Sequence, residues 1–165
     1  MIFESVTVEN WRGFYGEQTI HFSTSKKKNT TIVYAQNGVG KTNLLNAIMW
    51  CLYEELTASF KIPTDILNHY AASEGRNSYH VSIYLRSEDD QLYKIQRSGG
   101  NISNFKVHII SEDGNHSPYQ GSAKLFVNSI LPKDIAGYFI NDGEGDDLTS
   151  DANGMISISR SIEDI

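Results

Sequence analysis

Ala35-Gln36-Asn37-Gly38-Val39-Gly40-Lys41-Thr42 is the stretch on which the reading of this chain turns. A small residue, four intervening positions and then Gly-Lys-Thr make the pattern of a phosphate-binding loop. Thr31-Ile32-Val33-Tyr34 precedes it and reads as a buried strand, and a helical pattern from Asn43 to Glu55 follows. In that setting the main-chain N–H groups from Gln36 through Asn37, Gly38, Val39 and Gly40 wrap a polyphosphate. The helix that opens at Asn43 turns its positive end toward it. Lys41 would pair with the β- and γ-phosphates of ATP and take part in the chemistry, and the Thr42 hydroxyl would hold Mg²⁺. Ala35 stands where Gly is usual; the turn survives if Ala35 keeps φ negative. The competing reading is an ordinary Gly-rich turn with a solvated lysine.

Outward from the loop, Ile2 to Glu9 alternates apolar and polar residues and reads as a strand. Asn10 to Gly16 reads as a turn region, Thr19 to Phe22 as the returning strand, and Ser23 to Asn29 as a polar loop. The helix after the phosphate loop carries apolar residues all round, which predicts burial on most sides between sheets. Tyr79–Arg86, Gln91–Arg97 and Asn104–Ile110 are separated by polar and Gly-bearing turns, and predict an antiparallel β meander over 79–110. Ser122 to Leu131 reads as an amphipathic helix stopped by Pro132. Ala136 to Ile140 reads as a short buried strand running into the acidic loop Asn141 to Asp147, and 156–165 as the start of a helix.

The chain has 165 residues, enough for one domain with a core, and a net charge of −6. Bulk charge therefore does not draw it to nucleic acid. Lys26-Lys27-Lys28 is the one basic run; it reads as a solvated loop tip or as a contact to a DNA backbone. A single cysteine, Cys51, excludes an internal disulfide and reads as a buried, inert thiol. No long apolar run predicts a membrane span and no signal peptide is visible, so a soluble cytoplasmic protein is expected. The histidines 21, 69, 80, 108 and 116 show no metal-ligand spacing along the chain.

ATP hydrolysis also needs a carboxylate for Mg²⁺ and another to position water. The nearest candidate is Tyr138-Phe139-Ile140-Asn141-Asp142-Gly143-Glu144, in which Asn interrupts the apolar run and Gly parts the two acids. Asp142 would be the metal carboxylate and Glu144 the second acid. Ser98-Gly99-Gly100 reads as part of the turn between two strand runs, not as the signature motif of transporter-like ATPases. The chain reads as half of an active site.

Three segments in this order carry a family resemblance. They are Val8-Glu9-Asn10-Trp11-Arg12-Gly13-Phe14-Tyr15-Gly16, then Gln36 to Ile48, then Tyr138 to Glu144. Together they resemble the N-terminal lobe of SMC/RecF/RecN-type ATPases, of the AAA/ABC-type class. More narrowly, with Leu52-Tyr53 closing the first helix and Tyr138 to Glu144 near the end, the chain resembles the DndD-like ATPases of DNA phosphorothioation and related phage-defence systems. The resemblance covers almost the whole chain and implies an α/β P-loop NTPase fold, the N-terminal lobe of an ATPase head carrying an antiparallel β meander. It implies that 156–165 starts a coiled coil, and that a C-terminal lobe supplies the signature motif and paired carboxylates. Two heads would sandwich two ATP molecules, with DNA and other subunits of a DNA-processing or defence complex as partners. Asn37 would lie near the γ-phosphate, and Asp142-Gly143-Glu144 would match the segment that senses Mg²⁺ and water. Arg12 would approach the nucleotide from the N-terminal side, or would only cap the strand turn. Trp11, Phe14 and Tyr15 read as local packing.

Two other classes compete. A free-standing P-loop NTPase or kinase would use Asp142 as its metal carboxylate. An interaction module would keep the loop only as part of its fold.

Overall fold

The computed structural model describes residues 1–56, 66–101 and 103–140. Among these residues, alternating side chains along each strand build a single antiparallel sheet. β1 (Ile2–Trp11) sits between β2 (Phe14–His21) and β3 (Ser78–Arg86). β4 (Leu92–Gly100), β5 (Asn104–Ile110) and β6 (His116–Pro118) extend it to the order β2-β1-β3-β4-β5-β6. The predicted meander is therefore present. Register sorts the faces: Val6, Ile83, Ile95 and Val107 lie in one cross-strand row, whereas Thr7, Ser82, Gln96 and Lys106 lie in the next. A slip of one residue would exchange the two rows, so burying the first fixes the pairing.

Helix α1 (Lys41–Tyr53) lies across the apolar face. Leu44, Ala47, Trp50 and Cys51 are buried there against Val81, Ile83 and Ile95. Burying one such large side chain contributes about 1.5–3 kcal/mol. Trp11, Trp50 and Tyr79 form a cluster with ring centroids 4.8, 5.3 and 5.7 Å apart. It ties the end of β1 to the helix and to β3. The Cys51 Sγ approaches the carbonyl oxygens of Val81 at 3.4 Å and Ile95 at 3.8 Å. Burial pushes this thiol up to about 12, so the nucleophilic thiolate is scarce at neutral pH. Native protein is expected to resist a disulfide-forming aromatic thiol reagent and to react stoichiometrically once unfolded; rapid labelling of the folded chain would refute that placement.

Helix α2 (His69–Ser73) follows the segment that crosses beneath the β1–β2 turn. Helices α3 (Ala123–Ile130) and α4 (Lys133–Phe139) pack near the far end of α1, where the Tyr53 hydroxyl donates to the Leu131 carbonyl at 2.7 Å.

Three expectations are corrected. Thr31 to Tyr34 forms no strand: Ile32 is 85% and Tyr34 93% exposed. A strand exists through pairing of its N–H and C=O groups, and no strand among the described residues pairs with this one. Ala136 to Ile140 is not a strand either. Lys133–Phe139 is a helix, begun by Pro132 and with Asp134 in its first turn, both favourable at a helix N-terminus. Finally, among the described residues α1 is covered by one sheet and not by two. Leu45 and Ile48, on its other side, line an open apolar cleft of about 450 Å³ with Phe3, Phe22, Ile130 and Ile140. The acidic loop, with Asp142 and Glu144, and the 156–165 segment lie outside the described residues.

Candidate nucleotide site

The loop before α1 takes a shape that two glycines permit. Gly38 has φ 83° and Gly40 has φ 116°, both in the left-handed half of the map where side chains are strained. Gly40 is the N-cap of α1 and has no side chain to offer, and among the described residues no side chain caps the helix in its place. The first turn carries no acid. N–H groups at the helix start are thus left for an anion, and the helix dipole favours a negative ligand there. The first helical bond runs from Leu44 N–H to Gly40 O at 2.9 Å, and Val39 N–H reaches Gln36 O at 3.4 Å.

Lys41 folds back over this loop. Its ammonium donates to the Ala35 carbonyl at 2.8 Å and to the Gln36 carbonyl at 3.0 Å. Its charge is therefore held against the start of the loop, and a phosphate bound there would accept from the same nitrogen. Thr42 and Asn43 follow on the first turn and are partly exposed, while Asn46 clamps that turn from below by donating to the Thr42 carbonyl at 2.9 Å. Gln36, Asn37, Gly38 and Val39 are exposed. These residues fit a polyphosphate. For Mg²⁺, the described residues offer the Thr42 hydroxyl in the first turn.

The β1–β2 turn abuts the helix start. A methyl group built on Gly40 would stand 3.7 Å from the Phe14 ring, and one on Gly13 would stand 3.5 Å from the Asn43 amide nitrogen. Arg12, Gly13 and Asn43 thereby line one pocket of about 420 Å³ with Leu67, Asn68 and Tyr70. Arg12 owes its position to backbone geometry. Asn10 and Arg12 have φ of 51° and 48°, at a bulge where β1 loses register between Glu9 and Trp11. Arg12 N–H donates to Ile66 O at 2.7 Å, and the Asn68 side-chain amide donates to Arg12 O.

Asn68 is not visible as a site residue in the sequence. Its N–H donates to Asn10 O at 2.8 Å, and its side-chain oxygen accepts from Tyr70 and Ala71 N–H at 3.0 and 3.1 Å. One buried side chain thus caps α2 and fixes the Arg12 turn. An Asn before a short helix signals a cap, but its second partner is remote in the chain. Asn68→Ala is expected to cost about 2 kcal/mol, one cap plus one orphaned carbonyl, measured by urea unfolding. A loss below about 0.5 kcal/mol, the level of a neutral surface change, would show the turn to be held by other contacts.

Gly40→Ala places a Cβ at φ 116° with no atom closer than 3.7 Å, so the strain is purely conformational. A cost of about 1–3 kcal/mol is expected, together with weaker nucleotide binding. Unchanged stability would mean that the loop does not hold this conformation.

The family model described as "AAA domain" matches residues 5–153. The SbcC component of the nuclease SbcCD from Staphylococcus saprophyticus is 28% identical over 90 residues, which are 54% of this chain and 9% of that protein. The chain thus spans a small part of that relative's length. A solved chain from work on ATP-driven dimerization and DNA-stimulated activation of SMC ATPases aligns over 98% of this chain and 96% of its own. Its TM-score is 0.56 and its identity 18%. The SMC head domain from Thermotoga maritima aligns over 79% of this chain and 41% of its own, with a TM-score of 0.47 and 16% identity. The fold is that of a P-loop ATPase head, present here in part.

Proposed function

We propose an ATP-dependent role from one premise: this chain belongs to the AAA-domain family. Its relatives and fold are those of SMC/RecF/SbcC-like ATPases. In our reading the chain is the N-terminal lobe, over 1–165, of an ATPase head that acts on DNA. ATP with Mg²⁺ is its ligand. Lys41 holds the β- and γ-phosphates, the Gln36–Gly40 amides wrap them, Thr42 carries the metal, and Arg12 and Asn43 face the nucleotide from the neighbouring pocket. A C-terminal lobe and a second head would complete the hydrolytic site, with Asp142 and Glu144 brought alongside. The narrower assignment to phosphorothioation or phage-defence ATPases rests on Leu52-Tyr53 at the end of the first helix and on the segment from Tyr138 to Glu144.

The observation that carries this reading is the conjunction at the helix start. Two glycines with positive φ shape the loop, no side chain among the described residues caps the helix, and the Lys41 ammonium bonds back to the loop. Such a loop binds an anion, and the glycine–lysine–threonine order selects a nucleotide phosphate.

Calorimetry with ATP–Mg²⁺ tests it. One nucleotide per chain is expected, with thermal stabilisation that reaches about 2.7 kcal/mol when free ATP is 100-fold above Kd. Turnover by this chain alone should stay well below about 1 s⁻¹, the low end for complete phosphoryl-transfer sites. Neither heat nor a melting shift with ATP or ADP and Mg²⁺ would overturn the proposal.

A further inference from the structure

We propose that Glu9, Glu17 and His80 form a binding site for a divalent transition-metal ion of the Zn²⁺ class, separate from the phosphate loop. The three residues are scattered in sequence, but register puts them in one row. Glu9 pairs with Glu17 across β1–β2 and with His80 across β1–β3. Paired residues of an antiparallel ladder point to the same face, here the polar face away from α1. One ligand atom from each of the three lies within 4.8 Å of the other two.

The row is more than an ion pair. His80 Nε2 stands 2.8 Å from Glu9 Oε2, and both side chains are only about a quarter exposed, at 29% and 26%. One imidazole nitrogen already meets one carboxylate oxygen. The second carboxylate, Glu17, sits directly opposite the first, and like charges in that position destabilise a sheet. A dication offsets both. The other oxygen of Glu9 accepts from the Asn10 amide at 3.4 Å. Such an outer partner orients a ligating carboxylate. Ser82, Thr7 and Thr19 continue the polar face beside the row, and Lys94 and His21 line the same concave surface further along it.

Donor chemistry names the ion. An imidazole with two carboxylates suits zinc and its neighbours; oxygen-only sets suit Mg²⁺ or Ca²⁺. Zinc bonds of about 2.1 Å in tetrahedral geometry set ligand atoms about 3.4 Å apart. The flexible glutamate side chains have to draw inward by about an ångström to meet it, and water can take the fourth position, since Glu17 and His80 open onto a concave surface. The ion would pin β2 and β3 to β1 beside the bulge that carries Arg12.

The untagged protein, stripped with EDTA and free of nucleotide, tests the proposal. Zn²⁺ is titrated by calorimetry, and Co²⁺ by its d–d absorption. One ion per chain is expected, with a rise in melting temperature. Glu17→Gln and His80→Gln should each weaken binding at least tenfold and abolish the rise, whereas His108→Gln, on the same face beyond β4, should not. Glu17 is exposed, so Glu17→Gln keeps the fold even if His80→Gln does not. Absence of stoichiometric binding would overturn the site, as would affinity within twofold of the parent in Glu17→Gln.

Discussion

Lys41→Ala is expected to weaken ATP binding about 10- to 150-fold while leaving the protein folded. Among the described residues the ammonium donates to the Ala35 and Gln36 carbonyls of its own loop, and the side chain is exposed. Without the lysine, water satisfies those carbonyls, so stability should change by less than about 0.5 kcal/mol. With nucleotide, the same ammonium meets phosphate oxygens. A charge-assisted hydrogen bond of that kind contributes about 1.5–3 kcal/mol, and each 1.4 kcal/mol is tenfold in affinity. Titration calorimetry on parent and variant, beside their unfolding curves, separates the two effects. Equal affinities would remove Lys41 from the site. Equal loss of stability and binding would make the lysine a structural clasp of the loop.

The second large effect concerns the other end of the same helix. Arg97→Met is expected to destabilise the fold by about 3 kcal/mol. Arg97 is 4% exposed, on β4 beneath the last turn of α1. Its Nε donates to Cys51 O at 3.0 Å, one terminal nitrogen donates to Leu52 O at 3.4 Å, and the other to Glu54 Oε2 at 3.0 Å. Its guanidinium lies 3.9 Å from the centre of the Phe105 ring. A cation at the negative end of a helix is favourable, and these contacts satisfy carbonyls that helix geometry leaves free.

Burial lowers the Arg97 pKa, and the Glu54 carboxylate opposes that shift. The group stays charged because an arginine starts so far above neutrality. Methionine fills much of the volume but leaves the Cys51 and Leu52 carbonyls unpartnered, at about 1–3 kcal/mol each. Relief of the buried charge offsets part of that. Near 2–4 °C per kcal/mol for a domain of this size, the melting temperature should fall by about 6–12 °C. Arg97→Lys should fall between parent and Met, since an ammonium cannot reproduce the planar fork. A loss below 1 kcal/mol for Arg97→Met would show that the helix end is secured elsewhere.

Both effects bear on how far a sequence discloses its own contacts. Lys41 is conspicuous because a phosphate loop is local: its glycines, its lysine and its helix lie within a few residues of one another. The meander is legible for a similar reason, since alternation and turn residues are short-range signals. Arg97 reads only as the last residue of a strand, because its partners sit on α1, far away in the chain. Trp11, expected to be local packing, does pack, but against Trp50 and Tyr79. His80 has no ligand spacing along the chain, yet a sheet spaces its side chains across strands, at Glu9 and Glu17.

Two misreadings have the same origin. Thr31 to Tyr34 is apolar enough for a strand, but apolarity cannot supply a neighbour to bond with. Ala136 to Ile140 is equally apolar, and Pro132 with Asp134 turns it to helix instead. A short apolar run does not distinguish strand from helix; the chain that surrounds it does.

By itself, then, the order of residues determined the glycine-shaped loop, the helix behind it and the alternation of the sheet, because each follows from φ preferences and periodicity within a few positions. Tertiary structure alone decided which remote groups meet. It set Arg12 and Asn43 around one pocket, Arg97 under the end of α1 and Glu9 between Glu17 and His80. Those meetings depend on strand order and register, which are settled only when a whole face is buried at once.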